Sequence, residues 1–162
     1  MNFRKIKKDE IDKLKRLFPG NNELWEKYKE KRLDEFEKNQ IDVFVIENEN
    51  YFVGEITINY ANQDLETETI PNQRVYLEAF RVDKSLQGRG LGQELLIYCL
   101  NELKNKGYTE FTIGVEDDNE RAKHIYFKYG FTNVIDKVHV EEYKPCDYTL
   151  YMRTATKRIL YK

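Results

Sequence analysis

Apolar residues change their spacing several times along the chain, and each spacing predicts an element. Met1 to Ile6 is a short mixed run that reads as an edge strand. From Lys8 to Phe18, Ile11, Leu14 and Leu17 share one helical face, and Pro19-Gly20 ends it. Asn22 to Lys38 sets Leu24, Trp25, Tyr28, Leu33 and Phe36 among many charges, the pattern of a second amphipathic helix. Asp42 to Ile46 is β-rich, and Asn48-Glu49-Asn50 makes a hairpin turn into Tyr51 to Tyr60. Gln73 to Val82 is another strand pattern. Leu91 to Lys106 is the clearest helix: Leu91, Leu95, Leu96, Leu100 and Leu103 form one stripe, and Gly107 sits where the chain must leave the helix. Glu110 to Val115 predicts a strand, Asn119 to Tyr129 a short helix stopped by Gly130, and Phe131 to Val140 and Asp147 to Arg153 two further strands. From Thr154 onward Lys157, Arg158 and Lys162 suggest a solvated end. The order β-α-α-β-β-β-α-β-α-β-β predicts an α/β fold, a mixed sheet with helices on its faces. No repeat or interdomain linker interrupts it, so residues 1–162 are expected to form a single domain.

Composition narrows the function more than the fold. The 162 residues are 40% hydrophobic, enough for a real core, and the net charge is −2. That balance argues against a general nucleic-acid binder, whose footprint is basic. No apolar run approaches the ~20 residues of a membrane span. Met1 to Glu10 lacks the apolar stretch of a secretory signal. Cys99 and Cys146 make no disulfide framework, so a reducing, cytoplasmic setting is expected. Together with His124 and His139 they lack metal-ligand spacing, and no metal is expected. Ser85, the only serine, has no nucleophile-elbow context. The long polar segment Asn59 to Gln73 carries Asp64, Glu66 and Glu68. It reads either as a solvated loop or as a wall of a substrate site suited to a cationic amine.

The chemistry is concentrated in Leu77 to Glu94, LEAFRVDKSLQGRGLGQE. A β-run stops near Val82, a polar turn follows, Gly88, Gly90 and Gly92 alternate, and the leucine-striped helix begins at once. A glycine-rich turn opening a helix exposes backbone N–H groups at the positive end of the helix dipole, where phosphates bind. The spacing is not G-x-G-x-x-G, since Gln93 stands where the third glycine belongs, and no glycine opens a P-loop. What remains is Gln87-Gly88-Arg89-Gly90-Leu91-Gly92, of the form Q-x-x-G-x-G. Downstream, Asn119 to Phe131 has the form N-x-x-A-x-x-x-Y-x-x-x-G-F. Asn119 is a good N-cap, and Ala122 and Tyr126, four apart, share a helix face.

On these two motifs, in this order and context, the sequence resembles the GNAT superfamily of acyl-CoA-dependent N-acetyltransferases. The match is strongest over Val75 to Phe131. The resemblance implies a mixed, mostly antiparallel sheet of about six to seven strands with a splayed parallel pair and helices on both faces. It implies acetyl-CoA as acyl donor, its pyrophosphate wrapped by the amides of Gln87, Gly88, Arg89, Gly90, Leu91 and Gly92. Asn119 and Ala122 lie on the cofactor side, and the main chain of Phe80 and Val82 would hold the pantetheine arm. Arg89 would pair with a phosphate or stay a surface arginine. Tyr126 matches the tyrosine proposed as general acid near the cofactor sulfur. The proton acceptor is not fixed by either motif. Glu78, a carboxylate in an otherwise apolar strand, would take the proton directly or through water, or else would pair with Arg81 or another base. Glu55 and Glu116 are weaker candidates, expected at the surface. Trp25 and Tyr28 are core residues by pattern, but they fall in a region that borders the acceptor site in the family. The expected activity is acetyl transfer to a primary amine of a small molecule or peptide, by direct attack in a ternary complex. The alternatives are an acyl-CoA-binding sensor without turnover, and a regulator binding another phosphate ligand. A homodimer is expected only by analogy with the family.

Overall fold

The computed structural model describes residues 1–61, 69–116, 119–143 and 152–161. The strands are β1 (Asn2–Lys5), β2 (Ile41–Asn48), β3 (Tyr51–Asn59), β4 (Arg74–Val82), β5 (Glu110–Glu116), β6 (Asn133–Tyr143) and β7 (Met152–Tyr161). They form one sheet in the order β1-β2-β3-β4-β5-β7-β6. Every neighbouring pair is antiparallel except β4 and β5, which run parallel. The helices are α1 (Asn22–Glu37), α2 (Leu91–Asn105) and α3 (Glu120–Lys128), preceded by a 3-10 segment, Lys8–Leu17. The mixed sheet with one parallel pair matches the expected fold class. Among the described residues, no helix is long and apolar enough to cross a membrane.

The sheet is covered on both faces. Val43 and Val45 of β2 pack with Ile11, Leu14 and Trp25 on one side. Phe44 and Ile46 join Ile56, Leu77 and the α2 stripe (Leu95, Leu96, Leu103) on the other. Double burial explains why β2 reads as a near-continuous apolar run. The first helical segment winds as a 3-10 helix because Ile11, Leu14 and Leu17 recur every three residues, the period at which side chains eclipse in that form.

The chain end departs from expectation. Residues from Thr154 do not form a solvated tail: β7 lies between β5 and β6, pairing Thr112 with Tyr161 and Glu116 with Lys157 on one side and all of β6 on the other. Backbone pairing is indifferent to side-chain charge, so Lys157 and Arg158 disguised a strand that its two neighbours stabilise. Of the strand expected at Asp147 to Arg153, only Met152 and Arg153 fall in β7. Residues 147–151 lie outside the described residues.

At the N-terminus, Arg4 clamps the 3-10 segment to the sheet edge. It donates to Glu10 at 2.7 and 2.9 Å and to Glu47 at 2.8 and 2.9 Å. The Arg4 bonds, helped by the Lys7 amide, hold the Glu10 carboxyl down from 4.5 to about 2. A carboxylate depressed on folding adds stability above its unfolded value and loses it as pH falls through the folded one. Stability should therefore decline from about pH 4.5 toward about pH 2. In urea titrations Glu10→Gln should flatten that decline, and an unchanged slope would remove the clamp from the acid response.

Candidate active site

The site begins where β4 parts from β5. Their parallel pairing runs from Arg74–Glu110 to Leu77–Ile113 and stops. On the other edge of β4, Glu55 of β3 faces Arg81 while Thr57 faces Glu78, so Ala79 and Phe80 stand against Ile56 alone. Such a bulge bends its strand. Ala79 supplies the bend with φ +53°, a left-handed conformation that costs a non-glycine residue about 1–2 kcal/mol. Beyond it a gap of about 440 Å³ opens between β4 and β5, lined by Glu78, Phe80, Gly114 and Tyr126 among others.

The glycine loop follows. Asp83 ties the end of β4 to Val53 through its amide (2.8 Å), and its carboxylate caps the turn Lys84–Leu86 by accepting from the Ser85 amide at 3.0 Å. Gln87 donates from its side chain to the Val82 carbonyl at 2.9 Å, which draws the loop closed. Gly88 and Gly90 adopt φ +78° and +81°, and Gly90 is the N-cap of α2. The first bond of α2 runs from the Glu94 amide to the Gly90 carbonyl (3.0 Å). The amides of Leu91, Gly92 and Gln93 therefore precede the helical ladder and are left for an anion. A Cβ at Gly88 or Gly90 would meet nothing within 4 Å, so open space lies ahead of the loop. At Gly92 it would stand 3.4 Å from both Phe80 and Val82, so this glycine serves the approach of helix to strand.

That open space is a cavity of about 330 Å³ between the loop and α3. Phe80, Val82, Gln87, Gly88, Gly90, Leu91, Gly92, Asn119, Ala122 and Tyr126 all line it. The Asn119 side chain caps α3 by accepting from the Ala122 amide at 3.1 Å. Arg89 is exposed and is not among the lining residues, whereas Arg121, in the first turn of α3, is. The two glycines at positive φ, the unspent amides and Arg121 suit a diphosphate.

The two cavities share Phe80, Arg81 and Tyr126. Tyr126 is only 8% exposed. Its ring stacks on Phe80 (centroids 6.3 Å) and meets Phe131 edge-on (6.2 Å), and burial pushes its phenol up to about 12.

Of the two kinds of ion pair the sequence left open for Glu78, the structure has the one with a base other than Arg81. Glu78 accepts not from Arg81 but from Arg32 of α1, at 2.6 Å. Arg32 also donates to Glu35 at 2.9 Å and lies 4.8 Å from the Tyr28 ring centre. Arg81 instead donates to Glu55 at 2.7 Å. Glu55 is no surface residue: it is fully buried within β3, and burial raises its carboxyl above the ordinary range, with Arg81 opposing. Burial likewise raises Glu35, against Arg32. Trp25 is 1% exposed, enclosed by Phe18 and Tyr28, so its ring is core and offers a ligand no surface. Tyr28 is half-buried against the two guanidinium groups and lines neither cavity. The side chain of Glu116, and Asp64, Glu66 and Glu68, lie outside the described residues. Sequence reasoning missed Arg32 and Arg121. The only local signal for Arg32 was its three-residue spacing from Glu35.

Residues 9–131 match the model of the Acetyltransferase (GNAT) family. Among curated proteins, a mycothiol acetyltransferase of a Nocardioides species is 40% identical over 60 residues, which is 37% of this chain and 20% of that protein. The chain thus spans about a fifth of that relative's length. Among solved structures, the ribosomal-protein-alanine N-acetyltransferase of Brucella melitensis superposes with a TM-score of 0.70 at 17% identity, covering 100% of this chain and 99% of that one. The PaiA N-acetyltransferase of Thermoplasma acidophilum, solved in complex with coenzyme A, gives 0.65 at 18% identity, covering 99% and 97%. The family match spans most of the chain and contains the glycine loop, the splayed strands and the tyrosine helix, so this protein is a member of the Acetyltransferase (GNAT) family of acyl-transferring enzymes.

Proposed function

We propose that the protein transfers an acetyl group from acetyl-CoA to a primary amine by direct attack in a ternary complex. The observation that carries this is the junction of the two cavities at Tyr126. A carrier anchored by its diphosphate at the glycine loop would reach along Val82 and Phe80 into the gap, where an amine meets it from the far side. Acetyl-CoA, when bound, supplies the activated thioester. The amides from Gln87 to Gly92, with Arg121, hold the diphosphate, and the main chain of β4 beyond its bulge orients the arm. An alkylammonium has a pKa of ~10.4 and must lose a proton before it attacks. Glu78, on the wall of the gap, takes that proton directly or through water. Tyr126, which lines both cavities, would donate its O–H to the leaving sulfur. Holding both reactants in line supplies much of the rate, and the acid–base groups add about 10²–10⁴-fold.

The solved relatives support the chemistry by name: one is an N-acetyltransferase bound to coenzyme A, another acts on a ribosomal protein's alanine. The test is thiol release from acetyl-CoA over a panel of polyamines, amino sugars, amino acids and peptide N-termini, run beside a thermal-shift titration with coenzyme A. Release with at least one amine class, together with a coenzyme A-dependent rise in Tm, is expected. Stabilisation without release for every amine would replace the enzyme with an acyl-CoA sensor.

A further inference from the structure

We infer that Arg32 is a positioning residue for the reaction: from α1 it pins Glu78 so that one carboxylate oxygen is spent on the pin and the other faces the gap. The inference rests on the assignment of Glu78 as proton acceptor. Arg32 and Glu78 are 46 residues apart in sequence, and their contact joins α1 to the bulged strand β4. The Arg32 side chain is 5% exposed and Glu78 20%, and both line the gap. Among the described residues, Glu78 Oε1 accepts from Arg32 Nη1 at 2.6 Å, while Oε2 has no protein partner.

The way Arg32 spends its donors separates positioning from simple bracing. An arginine that braces a helix commonly grips one carboxylate with two parallel bonds. Here a single atom, Nη1, serves both Glu35 (2.9 Å) and Glu78 (2.6 Å), and Nε is buried with no partner. Glu35, three residues along the same helix, fixes the guanidinium, and the Tyr28 ring backs it at 4.8 Å. What reaches across to β4 is therefore a donor already held from behind. A free glutamate side chain samples many rotamers, and ordering it beforehand removes that cost from the reaction step.

The experiment is a double-mutant cycle on the full chain, with kcat and KM measured for acetyl-CoA and for the best amine, and coenzyme A affinity measured separately. Arg32→Met should lower kcat about 10–100-fold and leave the acetyl-CoA KM and coenzyme A affinity within about twofold. Arg32→Lys should recover most of the loss, since it restores the charge. In a Glu78→Gln background, Arg32→Met should cost less than about threefold more, because the group it positions is already gone. An equal loss in both backgrounds would show a structural role and overturn the inference. Should Arg32→Met fail to fold, Arg32→Gln, which also removes the charge, makes the same comparison with and without Glu78→Gln. Full activity of Glu78→Gln alone would instead sink the proton-acceptor assignment, a different and separable failure.

Discussion

Gly90→Asp is expected to abolish coenzyme A binding while the protein still folds. Gly90 is the N-cap of α2 at φ +81°, and a Cβ there enters open space with nothing within 4 Å. The fold therefore meets no clash. The backbone conformation costs a non-glycine residue about 1–2 kcal/mol, and aspartate is among the residues that tolerate it best. A ligand diphosphate meets the opposite situation. The new carboxylate occupies the space ahead of the unspent amides and brings negative charge against negative charge. Like charges set together at an interface cost several kcal/mol, which is at least about 100-fold in Kd. Gly90→Ala adds the same Cβ without charge and should weaken binding less. Calorimetric titration with coenzyme A, beside a melting curve for each variant, reads both effects. Wild-type affinity in a folded Gly90→Asp protein would remove the diphosphate from this loop.

The parts of the site that could be read from the sequence are those built from near neighbours. The leucine stripe, the glycines ahead of it and the Ala122–Tyr126 pair each lie within a single helix or the turn that opens it, where spacing dictates geometry. The residues that closed the site from a distance could not be read that way. Ala79 carries no left-handed signal, since alanine seldom adopts φ +53°, yet its bulge is what parts β4 from β5. Glu55 looked like a surface acid until β3 was covered on both faces and Arg81 stood opposite it across the strands. Arg81 being committed there, Glu78 was left to Arg32, a partner that no local pattern names. The β7 strand belongs with these, because its two flanking strands and not its own composition decide its place.

Tyr126→Phe is expected to lower kcat by about 10²–10³-fold and to leave coenzyme A affinity within about twofold. The ring keeps its places against Phe80 and Phe131, so packing changes little and only the hydroxyl is lost. Burial holds that phenol at about 12, so it carries its proton at any working pH. The same value limits what the proton can do. A thiol titrates near ~8.5, so handing the Tyr126 proton fully to a thiolate would run uphill by about 3–4 pKa units, about 5 kcal/mol. A hydrogen bond to sulfur as charge develops has no such cost, and removing one donor of that kind costs about 2.7–4 kcal/mol in the barrier. On the proposed mechanism Tyr126 would therefore act as a fixed donor from a buried position, and the thiolate would take its proton later from water. Two measurements follow from this. The alkaline limb of kcat should have the same midpoint in wild type and Tyr126→Phe, since the phenol does not titrate until about pH 12. An undiminished kcat for Tyr126→Phe would take the donor role away from this hydroxyl, and an alkaline limb that vanished with it would show that full proton transfer does occur.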